Sequence, residues 1–283
     1  MSPIVHHPFE VKLGPLNLTG FGLAVFLAYA ISQIISQNEL ERRGRTTEAA
    51  AIPDLILAAV LGMLVGGKVY YVSVITHDWR DLISRSGFVF WGGLMGGVLF
   101  NFLWIHYKKL SFWRFADVAG IAIAAGYAVG RSGCWAIGDD YGRPWNGILA
   151  VQFPNGYPPS RAGVMNQLFG TPIPPGANAD TVLAVHPTQL YEVALGLVMF
   201  ALLWRQRSHK HAEGWLFGLY CVLAGVERFI VEFFRAKDDM FFGPITAAQA
   251  IGIGIAVIGA VIMITRREVG PGKPGVYATS TAS

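Results

Sequence analysis

The sequence predicts an all-α polytopic membrane protein: seven transmembrane helices with a small external subdomain between helices 4 and 5. Three observations carry this reading. Of 283 residues, 53% are hydrophobic and only 14% charged, against about 25% charged in an ordinary soluble domain; mean hydropathy is +0.44. The apolar residues gather into seven runs, each long enough to cross a bilayer, which takes about 20 residues. Basic residues are dense in alternate connections between those runs.

The elements follow in order. Residues 1–17 form an external arm, in which His6 and His7 are arm residues rather than ligands. The first basic residue is Lys12, so no charged region precedes the first run and a cleavable signal peptide is not expected. Helices 1–4 occupy 18–133, with spans near 18–37, 52–75, 88–106 and 115–133. Residues 134–187, rich in Pro, Gly and Asn, are too long for a simple connector and read as the external subdomain. Helices 5–7 occupy 188–264, with spans near 188–204, 214–234 and 246–264. Residues 265–283 form a cytoplasmic tail expected to be disordered. Cys134 and Cys221 lie far apart, which gives neither a disulfide framework nor metal-ligand spacing. No metal, cofactor or nucleic acid is expected.

The 22 Lys and Arg residues set the orientation. Twelve share one side: Arg42, Arg43, Arg45, Lys108, Lys109, Arg114, Arg205, Arg207, Lys210, Arg266, Arg267 and Lys273. Seven share the other: Lys12, Arg80, Arg85, Arg143, Arg161, Arg235 and Lys237. The positive-inside rule then places the N-terminus outside and the C-terminus in the cytoplasm.

The remaining three, Lys68, Arg131 and Arg228, lie inside or at the edge of spans. Ionisable groups there are costly, and usually paired and functional. In GLYCVLAGVERFIVEFFR, Arg228 and Glu232 are four apart and Arg235 continues the same helix face. One reading is an Arg–Glu pair joining helices. The other is an anion site, since a guanidinium matches phosphate oxygens with paired donors. Arg131 and Lys68 at similar depth would leave a net positive pocket that opens outward and fits a phospholipid headgroup. Gly62 and Gly66, Gly92 and Gly96, Gly93 and Gly97, and Gly126 and Gly130 have the spacing of close helix packing. Gly130, Gly133, Gly138 and Gly142 fall where the fourth span is expected to break. In HPTQLYE, Pro187 suits a first helical turn. His186 is either a capping and packing residue or a proton acceptor.

Several stretches together resemble the prolipoprotein diacylglyceryl transferase family: GPLNLTGFGL, GGKVYY, WGGLMGG, GRSGCWAIGDDYGRP, HPTQLYE and RFIVEFFR, in that order. The resemblance implies transfer of the diacylglyceryl group of phosphatidylglycerol to the lipobox cysteine thiol in the signal peptide of a prolipoprotein, with release of glycerol-1-phosphate. It implies that Arg131 and Arg228 serve the lipid phosphate, that Glu232 positions Arg228, and that Arg143 closes the signature. The chain departs from the family pattern at Phe21 for tyrosine, Trp91 for histidine, Cys134 and Ile137 for asparagines, and Asp139 for glutamate. Asp139 and His186 remain as candidate bases, with Arg235 and Lys68 as further phosphate ligands. Alternative readings are a diverged transferase using another acceptor or anionic lipid, and a phospholipid-binding membrane protein without turnover.

Overall fold

A computed structural model describes residues 4–13, 16–84, 87–236, 240–242 and 245–277. Arg85 and Lys237, counted above in the charge balance, lie outside the described residues. The chain is mostly helical: α1 (Gly20–Arg42), α2 (Thr46–Ala49), α3 (Ile52–Tyr70), α4 (Phe90–Tyr107), α5 (Phe112–Ile137), α6 (Ala162–Phe169), α7 (Thr188–Gln206), α8 (Trp215–Glu232) and α9 (Ala247–Thr265). Each expected apolar run coincides with a helix of 18 residues or more. Among the described residues, four stretches are long and apolar enough, by length and composition, to cross a membrane: Gly20–Arg42, Thr46–Thr76, Phe112–Ile137 and Ala247–Thr265.

Two helix ends differ from expectation. α1 runs on to Arg42 because its polar end consists of helix-compatible residues and because Glu39 holds Arg42 at 2.6 Å and Arg43 at 2.8 Å. α5 runs on to Ile137, so Gly130 and Gly133 sit inside the helix and the break comes at Gly138, whose φ of +73° suits glycine. The all-α expectation also misses three small sheets, made from β1 (Ile4–Val5), β2 (Glu10–Leu13), β3 (Leu16–Thr19), β4 (Val151–Gln152), β5 (Ala184–Val185), β6 (Met240–Phe242) and β7 (Ile245–Thr246). Strands this short leave little periodic signal in a sequence.

The chain forms two compact units, one of Met1–Ser32 with Ala119–Ala278, the other containing Gln33–Val118. In the second, α3 and α4 pack backbone to backbone through Gly62, Gly66, Gly92 and Gly96. A Cβ on Gly96 would lie 2.1 Å from the Gly62 carbonyl oxygen. Gly96→Val should therefore splay the hairpin and lower the melting temperature of the detergent-purified protein, at a cost of about 1–3 kcal/mol; an unchanged melting curve would refute this packing. Gly130, by contrast, faces open space and joins no such contact.

In the first unit, Gly218 meets Gly259 and Gly225 meets Gly252 to bring α8 against α9. α9 opens with a capping box of Thr246 and Gln249. Between α5 and α7, β4 pairs in parallel with β1 and antiparallel with β5. Val185 of this sheet joins Phe153, Met165 and Tyr141 in a hydrophobic core, and the His6 ring packs into it with its centroid 4.8 Å from that of Trp135 and 4.9 Å from that of Phe153. Within the 265–283 tail, of which 278–283 lie outside the described residues, Glu213 N donates to Pro274 O at 2.9 Å, and Val276 is buried. An apolar residue with a place to dock offsets the entropy of ordering the tail.

Candidate functional site

The last turns of α5, the first turns of α7 and the end of α8 contribute charged groups to one cluster. Arg131 Nη1 donates to Asp140 Oδ2 at 3.0 Å and to Cys134 Sγ at 3.3 Å, while Nη2 is hydrogen-bonded to Glu192. Arg235 approaches Asp140 at 3.1 Å, Glu192 at 3.7 Å and Glu232 at 3.8 Å. Asp140 and Glu192 are thus each shared by two guanidiniums. Arg228 contacts Glu232 at 2.5 Å, as the four-residue spacing predicts, and its side chain is 32% exposed.

Local geometry explains why these groups converge. Asp140 adopts a left-handed conformation, φ +53°, that aspartate tolerates better than most residues. The first residues of α7 hold this turn: Thr188 Oγ1 donates to Asp140 O at 2.7 Å, and Gln189 Nε2 donates to Asp139 O. Gly142 lets the loop pass against the end of α8, where a Cβ would lie 2.3 Å from Phe234 O. Arg143 N donates to that same oxygen, and Arg143 Nε donates to Arg235 O at 2.8 Å. Gly133 seats α5 against Ala24 and Phe21, and Gly138 meets Phe153.

Asp139 lies beside Cys134 and Asp140, the three ligand atoms falling within 4.8 Å. Its Oδ1 is buried without a hydrogen bond. Burial, and then the neighbouring Asp140 charge, push its carboxyl up to about 6. His186 stacks on Trp145 with ring centroids 4.3 Å apart, and its Nδ1 meets Tyr191 Oη at 3.1 Å. Burial lowers its pKa. Cys134 and His186 have different neighbours: the thiol meets Arg131 and Asp139, the imidazole Trp145, Tyr191 and Phe234.

The expected pocket of three cations and one carboxylate is corrected here. Lys68 belongs to the other unit, and its ammonium donates to Ser84 O at 2.6 Å and to Asp81 O at 3.4 Å. Arg131, Arg228 and Arg235 instead meet Asp140, Glu192 and Glu232. Asp140 and Glu192 were legible as charges in GRSGCWAIGDDYGRP and HPTQLYE, and for Glu192 a carboxylate at the head of an apolar run is itself a signal. Tyr127 gave none: its hydroxyl lies 3.2 Å from Glu192 Oε1 and 2.9 Å from Glu227 Oε1, in the middle of a helix otherwise rich in Ala and Gly.

A family profile described as prolipoprotein diacylglyceryl transferase matches residues 8–265. The chain belongs to the prolipoprotein diacylglyceryl transferase family. It is 30% identical over 254 residues to a phosphatidylglycerol–prolipoprotein diacylglyceryl transferase of Bordetella avium, covering 87% of each chain. A protein of the same name from Geobacter sulfurreducens is 28% identical over 277 residues, 93% of this chain and 97% of its own. One from Stenotrophomonas maltophilia is 27% identical over 280 residues, 92% of each. Of the positions expected to depart from the family pattern, Cys134 faces Arg131 with a weak sulfur acceptor, where the expected asparagine would offer an amide oxygen. Trp91, in the second unit, is 48% exposed, and Phe21 in the first is 41% exposed.

Proposed function

We propose that this chain transfers the diacylglyceryl group of phosphatidylglycerol to the lipobox cysteine thiol of prolipoprotein signal peptides, releasing glycerol-1-phosphate. It does so as a multi-pass enzyme of the bacterial inner membrane. Its seven helices of 18 residues or more cross the bilayer, with the N-terminus outside and the C-terminus cytoplasmic. Residues 134–187 form an external subdomain beside the arm of residues 1–17, and 265–283 the cytoplasmic tail.

The observation that carries this reading is Arg228. Its guanidinium has five donors, one carboxylate partner among the described residues, and an exposed edge. It binds the lipid phosphate and stabilises the charge that gathers on the leaving oxygen. Arg131 and Arg235, held in place by Asp140 and Glu192, stand behind it and contribute donors as the phosphate enters. Glu232 positions Arg228 through their shared helix face. Arg143 ties the signature loop to the end of α8.

Asp139 serves as the general base. It takes the proton of the substrate thiol, since the thiolate is the nucleophile. A carbon–sulfur bond forms to the glyceryl carbon, the carbon–oxygen bond to phosphate breaks, and that electron pair leaves with glycerol-1-phosphate. His186, stacked and hydrogen-bonded, holds the loop.

The test is to express the chain in cells depleted of their own transferase and to weigh a reporter prolipoprotein. A gain of one diacylglyceryl group is expected. An unmodified reporter alongside folded protein in the membrane would refute the reading. For the base, the sign follows from the raised carboxyl. The carboxylate is the active form, so kcat/KM should fall tenfold per unit as pH drops below about 6. An ordinary aspartate would hold the rate down to about pH 4. Asp139→Asn should abolish turnover in folded protein. His186→Gln should retain most of it, and the opposite pattern would reassign the base.

A further inference from the structure

Tyr127, from the middle of α5, and Glu227, from α8, are ionisable groups of the first unit that this mechanism does not use. Glu227 is 7% exposed and Glu192 only 3%. The Tyr127 hydroxyl lies between them, 2.9 Å from Glu227 Oε1 and 3.2 Å from Glu192 Oε1. A phenol carries one proton, and an ionised carboxylate can only accept. With both carboxylates ionised, one of these contacts would set lone pair against lone pair in a buried place.

The neighbours identify which carboxyl holds the additional proton. Glu192 is hydrogen-bonded to Arg131 and lies 3.7 Å from Arg235, so a charge on it has two guanidinium partners. Glu227 has no ion-pair partner among the described residues, although Arg131 and Arg228 contribute at longer range. An unpaired charge at that burial is costly, and neutralisation is the usual outcome.

We propose that Glu227 carries a proton in the resting protein and, with Tyr127, acts as a positioning pair for the phosphate-binding arginines. Glu227 donates to the Tyr127 oxygen, which turns the phenol proton toward Glu192. Glu192 then presents fixed oxygens to Arg131 and Arg235. The protonation also removes one negative charge from the surroundings of the anion site, leaving Asp139, Asp140, Glu192 and Glu232 against Arg131, Arg143, Arg228 and Arg235. The inference rests on the reading of this cluster as a lipid-phosphate site, but the location of the proton can be measured apart from it.

The measurement is infrared difference spectroscopy of the full chain in phosphatidylglycerol-containing bilayers. The wild type should show the carbonyl stretch of a protonated carboxylic acid, and Glu227→Gln should remove it. Tyr127→Phe should move that band to higher frequency, because the acid loses its acceptor. It should also raise KM for phosphatidylglycerol about tenfold with kcat nearly constant, the loss of one hydrogen bond to a charged group. Loss of mere packing would lower the melting temperature without moving the band. A spectrum with no acid band removed by Glu227→Gln, or a Tyr127→Phe protein whose band and KM are both unmoved, overturns the proposal. A chain that shows the band and its shift yet never modifies a prolipoprotein would overturn the proposed activity alone.

Discussion

Arg228→Ala should reduce kcat/KM about 100- to 1,000-fold while leaving the protein folded. The magnitude is that of removing one donor from a site where charge develops in the transition state. Folding survives because the side chain is 32% exposed, and because Glu232 keeps Arg235 as a neighbour at 3.8 Å. Arg228→Lys should fall between the two, retaining the charge but losing the planar fork that fits phosphate. The assay is transfer of labelled diacylglyceryl to a lipobox peptide, with folding followed by thermal unfolding in detergent. Full activity from folded Arg228→Ala would remove this residue from the phosphate site and leave Arg131 and Arg235 to be tested in its place.

Glu192→Ala should do most damage to stability. Glu192 is shared by Arg131 and Arg235 and meets Tyr127, all in buried surroundings. Breaking one partner out of a buried ion pair costs about 3–5 kcal/mol, mainly through the charge left behind. In a chain of this length that lowers the melting temperature by roughly 10 °C, and activity should be lost with it. Glu192→Gln keeps the volume and one acceptor oxygen, so its loss should be smaller. Equal melting temperatures for wild type and Glu192→Ala would show that the network adds nothing to the fold.

The helices were legible because an apolar run of span length leaves few alternatives, and the glycine spacing announced the α3–α4 contact that Gly62, Gly66, Gly92 and Gly96 make. Arg228 and Glu232 were legible for the same kind of reason: their contact is local, set by one helical turn. What brings Arg131 to Glu192, and Asp140 to Arg235, is the meeting of three elements distant in the chain. No periodicity encodes it. The short strands of the 134–187 segment were illegible for a related reason, since their pairing is decided by the Phe153 core and not by alternation within two residues. Lys68 was legible as a lysine near a span edge, but not its partners, because its long stem reaches the 81–84 loop of its own unit.

The parallel pairing of β1 with β4 has a kinetic consequence. Ile4 pairs with Val151, so β1 waits for a partner 147 residues later (151 minus 4). Closing so long a loop is slow compared with forming any helix between its ends. His6 and the arm therefore dock after α5 is in place, and the core around Phe153 stays open on one side until they do. A fusion to or truncation of the arm would then act late, trapping a chain with its helices complete and the Phe153 core uncovered where His6 should pack.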